Sequence, residues 1–190
     1  MKRLANSIRI SSPGILRGLC LLILGTLFWF PSMASAAKQL VNLPSGYESF
    51  PVGTIIIHAQ GRNLYVTIGN NQAFRYRVAV PKAGKEWRGE TVVERMEVNP
   101  AWMAPAAVAA DHPELAGRII PGGAPNNPMG TRAIMLQDTN SVSQVAIHGT
   151  TKKMRGSIGT AASYGCIRML NEDVEDLFEH VQVGSPVIML

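Results

Sequence analysis

Two short runs, 163-SYGCIRM-169 and 147-IHGT-150, place a cysteine and a histidine beside glycines. A thiol is a good nucleophile only as a thiolate, so it needs a nearby base or a positively charged environment. His148 at the end of a strand and Cys166 on a glycine-containing turn fit such a pair. Gly149 and Gly165 would let the backbone approach closely and turn N–H groups towards a developing oxyanion. The same residues also fit a buried cysteine in a core turn with a structural histidine.

Short runs of β-forming residues flank this pair, with Gly- and Asn-containing turns between them. The predicted strands cover residues 54–58, 64–68, 74–80, 90–98, 133–137, 144–148 and 187–190. A helix is predicted over 172–181, with Asn171 as its N-cap, acidic residues in its first turn and Gly184 beyond its end. The sequence therefore predicts a mainly β domain with one or two short helices.

Residues 99–130 have a different character, because six prolines and the pair Gly122-Gly123 interrupt them. Most of this stretch cannot be regular, although a short helix fits 106–110. An irregular insert of this length in a small domain is usually a functional loop or lid. We therefore expect a long Pro/Gly-rich loop close to the functional site.

The first 36 residues have the layout of a secretory signal peptide. They contain four basic and no acidic residues, a 12-residue apolar run at 19–30 and the small-residue sequence Ala34-Ser35-Ala36. This run is shorter than the ~20 residues that span a bilayer, so cleavage after Ala36 is favoured over a membrane anchor. A lipoprotein anchor is disfavoured, because Leu19 precedes Cys20 where a small residue is expected. We expect export to the periplasm, with membrane contact only during export.

Removing residues 1–36 changes both the charge and the cysteine content. The whole chain of 190 residues has a net charge of +5, but the remainder has 14 basic and 13 acidic residues, a net charge of +1. Nucleic acid is therefore not an expected partner. Cys20 leaves with the segment, so Cys166 is the single cysteine in an oxidising compartment. Such a thiol is a buried inert residue, a route to dimers or a reactive nucleophile.

The histidine and cysteine runs closely resemble the active-site signature of the L,D-transpeptidase catalytic domain, the YkuD family. An 18-residue step separates His148 from Cys166, and Ile and Arg follow the cysteine. Further segments resemble the family in chain order, namely 99-NPAW-102, 121-PGG-123 with 127-NPMG-130, 171-NEDV-174 and 183-VGSPV-187. The expected organisation is a signal peptide (1–36), an N-terminal lead-in (37–51) and an L,D-transpeptidase catalytic domain (52–190).

This resemblance implies a fold, a substrate and a reaction. The family fold is a β-sandwich with its catalytic cysteine at one edge, under a mobile loop. The implied substrate is the peptidoglycan stem peptide, whose third residue is a diamino acid. Cys166 would attack the carbonyl of that residue, release the terminal D-alanine and form a thioester. An amine acceptor would then resolve the thioester, giving a 3→3 cross-link or an attached protein or D-amino acid.

Two other functions remain open. Water could resolve the same thioester, which would make the protein an L,D-carboxypeptidase or an amidase. A non-catalytic peptidoglycan-binding domain is the third possibility, although such a module does not need an unpaired thiol beside an imidazole.

The resemblance also implies a role for each residue of the signature. Cys166 is the nucleophile, His148 is the general base, and the backbone carbonyl of Gly149 is the third member of the triad. The oxyanion hole is formed by backbone N–H groups of Tyr164, Gly165 and Cys166. Arg168 is a candidate for pairing with a substrate carboxylate, or it is a structural arginine that binds loop carbonyls. Ser163 caps the turn or supports the site.

Tyr164 departs from the family, because many members carry a second histidine at that position. A tyrosine can donate a hydrogen bond but does not titrate near neutral pH. Residues 82–89 also lack the T-P-x-G turn of many members and contain Trp87, so substrate choice is expected to differ. Trp87 and Trp102 are candidates for a groove or for the core.

No cofactor is expected. The sequence after residue 36 has no metal-binding spacing and no phosphate-binding glycine loop after a strand, so neither metal nor nucleotide is predicted. The expected ligands are peptidoglycan stem peptides and carbapenem inhibitors.

Overall fold

The computed structural model describes residues 38–47, 49–137 and 144–190. All of them lie in the unit Ala34–Leu190. The predicted signal peptide and its cleavage site lie outside the described residues. Within the described ranges, no helix is long and apolar enough to cross a membrane.

Strands predominate in the described part of the chain, which confirms the mainly β prediction. These strands are β1 (Gln39–Asn42), β2 (Ile55–His58), β3 (Asn63–Gly69), β4 (Gln72–Arg77), β5 (Val80–Pro81), β6 (Gly89–Val98), β7 (Trp102–Met103), β8 (Ile119–Ile120), β9 (Arg132–Leu136), β10 (Ala146–His148), β11 (Ala161–Ser163), β12 (Ile167–Arg168) and β13 (Pro186–Met189). The helical elements are α1 (Ala106–Asp111), α2 (Asn171–Phe178) and the 3-10 turns Pro113–Leu115 and Lys152–Ser157.

Nine of these strands form one sheet, in the order β1-β4-β3-β2-β13-β6-β9-β10-β12. Neighbours are antiparallel except for two parallel pairs, β2 with β13 and β10 with β12. Two small sheets pair β5 with β11 and β7 with β8. The parallel strands β10 and β12 carry the histidine and arginine of the signature, and β12 follows directly after the turn that contains the cysteine.

The long strand β6 turns this sheet into two layers. Its first half pairs with β13 and its second half with β9, and a bulge lies between Val93 and Arg95. A bulge bends a strand and increases its twist, so the two ends of the sheet can fold over each other. One core cluster joins side chains from both ends, such as Leu64 and Tyr76 from one and Ile134 and Ile147 from the other. The predicted β-sandwich is confirmed.

The hairpin between β3 and β4 shows why these residues form these elements. Asn70 and Asn71 have φ of 51° and 56°, the left-handed conformation that a two-residue hairpin turn requires and that Asn tolerates. Alternate residues of β3, including Leu64 and Val66, are fully buried in the core. The turn sets the register, and the apolar alternation decides which face of the hairpin is inside.

The N-terminal lead-in contains a strand that the sequence did not predict. β1 pairs with β4, with Gln39 opposite Arg75 and Asn42 opposite Gln72. Three of its four residues are exposed, so the strand forms through backbone hydrogen bonds at the sheet edge. This explains why neither hydrophobicity nor alternation indicated it.

The predicted N-cap of α2 is wrong. Asn171 is the first residue of the helix, Leu170 occupies the cap position, and no side chain caps the helix. The side chain of Asn171 instead accepts a hydrogen bond from the Thr150 amide at 2.9 Å. An asparagine before an apolar pattern usually caps its own helix, but here it binds the loop that follows His148.

Candidate active site

The strand register brings the two predicted catalytic side chains to one face of the sheet. β10 and β12 run parallel, with His148 opposite Arg168. Cys166 lies directly before β12, two residues from Arg168. All three residues line one cavity of about 650 Å³. The structure therefore places the imidazole and the thiol in the same cavity.

His148 is held as a neutral imidazole. Its side chain is buried, and Nδ1 lies 2.8 Å from the carbonyl oxygen of Gly149. A carbonyl can only accept a hydrogen bond, so the imidazole carries its proton on Nδ1. Burial and the positive charge of Arg168 lower the pKa of His148 to about 4, although nearby backbone carbonyls partly oppose this. The Gly149 carbonyl therefore holds the imidazole in this tautomer.

Cys166 is a free thiol. Burial raises the pKa of the thiol, while a backbone hydrogen bond from Ala146 and the charge of Arg168 act in the opposite direction. The side chain packs against the apolar group of Met129, Ala133 and Ala146. The resting pair is therefore a neutral thiol and a neutral imidazole, because each charged form is disfavoured by burial.

A network of hydrogen bonds holds the turn 163–166. The Ser163 hydroxyl donates to the carbonyl of Cys166 and accepts a long bond of 3.4 Å from the Gly165 amide. Gly165 has a φ of +137°, a conformation that residues with a Cβ rarely adopt. Ser163 supports the turn from within, and Gly165 permits its shape.

Trp87 holds the same turn from outside. Its side chain is buried, and Nε1 donates to the Gly165 carbonyl at 3.2 Å. The Lys82 amide donates to the Ser163 carbonyl at 3.0 Å. Residues 82–89 therefore support the turn that precedes Cys166. No sequence signal indicated this contact, because 78 residues separate Trp87 from Gly165.

The backbone amides of the turn include two without an acceptor in the described ranges. Ser163 accepts from Gly165, but no described carbonyl or side chain accepts from the N–H of Tyr164 or Cys166. Unpaired N–H groups beside a nucleophile can stabilise an oxyanion.

Arg168 is a largely buried cation that lacks a carboxylate partner among the described residues. Nη1 donates to the Ser157 hydroxyl at 2.9 Å, whereas Nε is buried with no partner in the described part of the chain. Apart from Arg168, the charged lining of the cavity is Lys82, and no described Asp or Glu lines it. A buried cation without a counter-ion is costly, so the cavity suits an anionic ligand. The described side-chain hydrogen bond of Arg168 is thus made to a hydroxyl group.

The segment 99–130 forms one wall of the cavity. It contains α1, the turn Pro113–Leu115 and the small hairpin of β7 and β8. Its contribution to the lining is mainly apolar, from Trp102, Met103, Pro105, Val108, Leu115 and Ile120. The predicted irregular loop thus contains short elements and lies beside the thiol.

Asn171 fixes the loop between β10 and β12. Its Oδ1 accepts from the amides of Thr150 and Thr131, at 2.9 Å and 3.4 Å. A Cβ on Gly149 or on Gly130 would lie 2.2 Å from that oxygen, so both positions need glycine. The sequence pattern indicated Gly149 as a residue of the site. It predicted Asn171 as a helix N-cap, whereas Asn171 accepts hydrogen bonds from these two amides.

No group of three or more His, Cys, Asp or Glu residues lies close enough to hold a metal ion within residues 38–47, 49–137 and 144–190.

The fold is a β-sandwich in which a histidine and a cysteine line one cavity. The carbonyl of the residue after the histidine holds the imidazole. These features define a class of Cys–His proteins. Within that class, the chain belongs to the YkuD family, the L,D-transpeptidase catalytic domain, whose family model matches residues 53–189.

Comparison with individual proteins agrees with this family. The chain is 34% identical over 143 residues to the probable L,D-transpeptidase YbiS of Escherichia coli K12, covering 71% of this chain and 43% of YbiS. The chain therefore spans less than half the length of that relative.

Two solved structures share the fold. L,D-transpeptidase 3 of Mycobacterium tuberculosis, in complex with a faropenem-derived adduct, has a TM-score of 0.54 at 14% identity, over 72% of this chain and 59% of that one. A protein of Brucella melitensis described as a probable carnitine operon oxidoreductase has a TM-score of 0.52 at 35% identity, over 81% of this chain and 93% of that one.

Proposed function

We propose that the protein is an exported, cysteine-dependent peptidoglycan L,D-transpeptidase. The observation that carries the proposal is the shared cavity of Cys166 and His148, with Nδ1 of the imidazole 2.8 Å from the Gly149 carbonyl. That bond leaves Nε2 as the acceptor for the thiol proton. Membership of the L,D-transpeptidase family supports the reaction type.

The first half-reaction forms a thioester. His148 Nε2 takes the proton of Cys166 as Sγ attacks the carbonyl of the third stem residue. The N–H groups of Tyr164 and Cys166 stabilise the oxyanion. The N–H of Gly165 can also do so once its long hydrogen bond to the Ser163 hydroxyl is broken. Collapse of the tetrahedral intermediate breaks the peptide bond. His148 returns the proton to the leaving amine, and D-alanine departs.

The second half-reaction resolves the thioester. An acceptor amine enters the position that D-alanine left and gives its proton to His148 as it attacks the thioester carbonyl. Breakage of the C–S bond restores the thiol, with the proton from His148, and yields the new amide. The product is a 3→3 cross-link or an attached protein or D-amino acid.

Arg168 binds a substrate carboxylate in this scheme. The leaving amine must face His148, and Arg168 is the register partner of His148 on the adjacent strand. A tetrapeptide carries its terminal carboxylate on the leaving residue, close to that position. Arg168 has no carboxylate partner among the described residues, and the terminal carboxylate of the bound stem provides one.

One experiment tests the chemistry. The chain without residues 1–36 is incubated with disaccharide-tetrapeptide, and the products are separated by mass. Cross-linked dimers with released D-alanine support transpeptidation, and tripeptide alone supports the hydrolytic alternative. No reaction would favour the non-catalytic alternative.

A second experiment tests the nucleophile. Intact-mass spectra after incubation with faropenem should show a covalent adduct on the wild-type chain and none on Cys166→Ala. An adduct on the variant would reject Cys166 as the nucleophile. His148→Ala should form the adduct far more slowly, and Ser163→Ala, which leaves both groups in place, should still form it.

The export proposal rests on the sequence of residues 1–36. Expression of the full chain in a Gram-negative host should yield a periplasmic protein whose first residue is Ala37. An intact N-terminus on membrane-bound protein would support an anchor instead.

A further inference from the structure

α1 lies beside the active-site cavity but is weakly held. It has six residues, buries none of them and has no side-chain cap at its N-terminus. It nevertheless contributes Val108 to the cavity wall, and Pro105 directly before it contributes as well. A short helix with no buried face depends on its few tertiary contacts for its position.

One hydrogen bond joins this helix to the nucleophile turn. The Tyr164 hydroxyl donates to Oδ2 of Asp111, the last residue of α1, at 2.6 Å. This bond lowers the pKa of the Asp111 carboxyl. The acceptor is therefore a carboxylate at neutral pH, which makes the bond charge-assisted. Tyr164 lies two residues before Cys166, so the bond ends next to the nucleophile.

Lys82 fixes the Tyr164 ring from another direction. Its Nζ lies 4.1 Å from the ring centroid, and its backbone amide donates to the Ser163 carbonyl. A cation over an aromatic face is attracted by the ring. The Tyr164 side chain is thus held by its hydroxyl and by its face, and it cannot turn away without losing both contacts.

We propose that Tyr164 is a positioning residue that holds the wall formed by α1 against the nucleophile turn through Asp111. It does so at the position where many family members have a histidine. The role rests on the proposed function, because the wall serves to bind the stem peptide beside Cys166. The contact acts on substrate binding and leaves the intrinsic reactivity of the thiol unchanged.

The kinetic test compares two reagents of different size. In Tyr164→Phe, KM for disaccharide-tetrapeptide should rise about fivefold with little change in kcat, because one charge-assisted hydrogen bond is lost. Alkylation of Cys166 by iodoacetamide should keep its rate, since this small reagent does not need the wall. An unchanged KM, or an alkylation rate that falls in step with substrate turnover, would overturn the proposal.

A double-mutant cycle tests the partner. Asp111→Ala should raise KM as much as Tyr164→Phe, and the double variant should be no worse than either one. Additive effects would mean that the two residues act independently. The matched control is Glu114→Ala, on the same segment, whose carboxylate faces His112 at 3.5 Å. This control should leave KM at the wild-type value.

Hydrogen exchange tests the same contact without a substrate. The amides of Ala109 and His112 donate to the carbonyls of Pro105 and Val108. In Tyr164→Phe they should exchange several-fold faster, while amides in β9 and β10 keep their rates. Unchanged exchange would reject the positioning role. If the wild-type chain binds no stem peptide but Tyr164→Phe still exchanges these amides faster than the wild type, the proposed function is rejected and the positioning role is retained.

Discussion

Cys166 and His148 share a cavity that disfavours both of their charged forms. Burial raises the pKa of the thiol and lowers the pKa of the imidazole to about 4. A thiolate–imidazolium pair is therefore not the resting state, and in the proposed reaction the proton moves as the thiol attacks the substrate. The positive charge of Arg168 lowers both pKa values. It therefore opposes the effect of burial on the pKa of the thiol and adds to the effect of burial on the pKa of the imidazole.

This electrostatic state predicts the pH dependence of thiol alkylation. The rate with iodoacetamide should keep rising with pH beyond the ordinary thiol range, because the thiolate forms only above the raised pKa. A preformed ion pair would instead give a rate that is already high at pH 6 and level above it. Stopped-flow alkylation between pH 5 and 10 distinguishes the two.

Arg168→Gln is the matched variant for this profile. Loss of the positive charge should raise the pKa of the thiol further and slow alkylation at pH 8. Arg155→Gln removes an exposed arginine that pairs with Glu172, and it should leave the profile unchanged. A profile that is the same in all three proteins would contradict the role of Arg168.

At the scale of elements, α2 contains a buried carboxyl. Asp173 is 6% exposed and Oδ2 has no partner in the described part of the chain. Burial, with the charges of Glu172 and Asp176 as lesser causes, raises the pKa of Asp173 from 3.8 to about 7. Between these pH values the unfolded chain releases a proton that the folded chain keeps. The folded state therefore loses stability as pH rises from about 4 to 7.

Asp173→Asn should remove this loss. We expect the free energy of unfolding at pH 8 to rise by about 2 kcal/mol, half of the full shift, because the carboxyl retains some contact with water. At pH 4 the variant and the wild type should be equally stable. Urea denaturation at the two pH values measures the difference.

Glu172→Gln is the control on the same helical turn. Its carboxylate is exposed and bonds Arg155 at 2.6 Å and 3.0 Å. Exposed pairs of this kind contribute only about 0.5 kcal/mol, so the variant should show no gain at pH 8. An equal gain in both variants would mean that net charge, not burial of Asp173, sets the pH dependence.

Local pattern predicted some of these elements and not others. The apolar runs of β2, β3 and β9 indicated strands because their side chains fill the core. The hydrophobic pattern did not indicate β1, because backbone pairing with β4 stabilises this strand. The glycines beside His148 and Cys166 pointed to the site, but the tasks of Asn171, Trp87 and Asp111 could not be predicted. Each makes its contact with a partner tens of residues away, which only the folded chain brings near.

At the scale of the whole molecule, β13 joins the two halves of the sheet. It lies between β2 and β6, and Val187, Ile188 and Met189 are buried. A proline in a central strand removes a ladder hydrogen bond and is rarely tolerated.

Ile188→Pro should therefore prevent folding. Leu40→Pro, in the exposed edge strand β1, should lower the unfolding free energy by about 2 kcal/mol at most. Thermal melts followed by far-UV circular dichroism compare the two. A cooperative melt of Ile188→Pro near the wild-type temperature would show that β13 is dispensable.

The place of β13 also sets the order of events during biosynthesis. Every other strand of the sheet precedes Pro186–Met189 in the chain, so the ribosome makes the joining strand after its neighbours. Until then β2 and β6 each have an unpaired edge, and contacts between distant segments delay folding further. A nascent chain of this design cannot complete its sheet until β13 has been made. A chain without its completed sheet can be threaded through a translocation channel, as the proposed export requires.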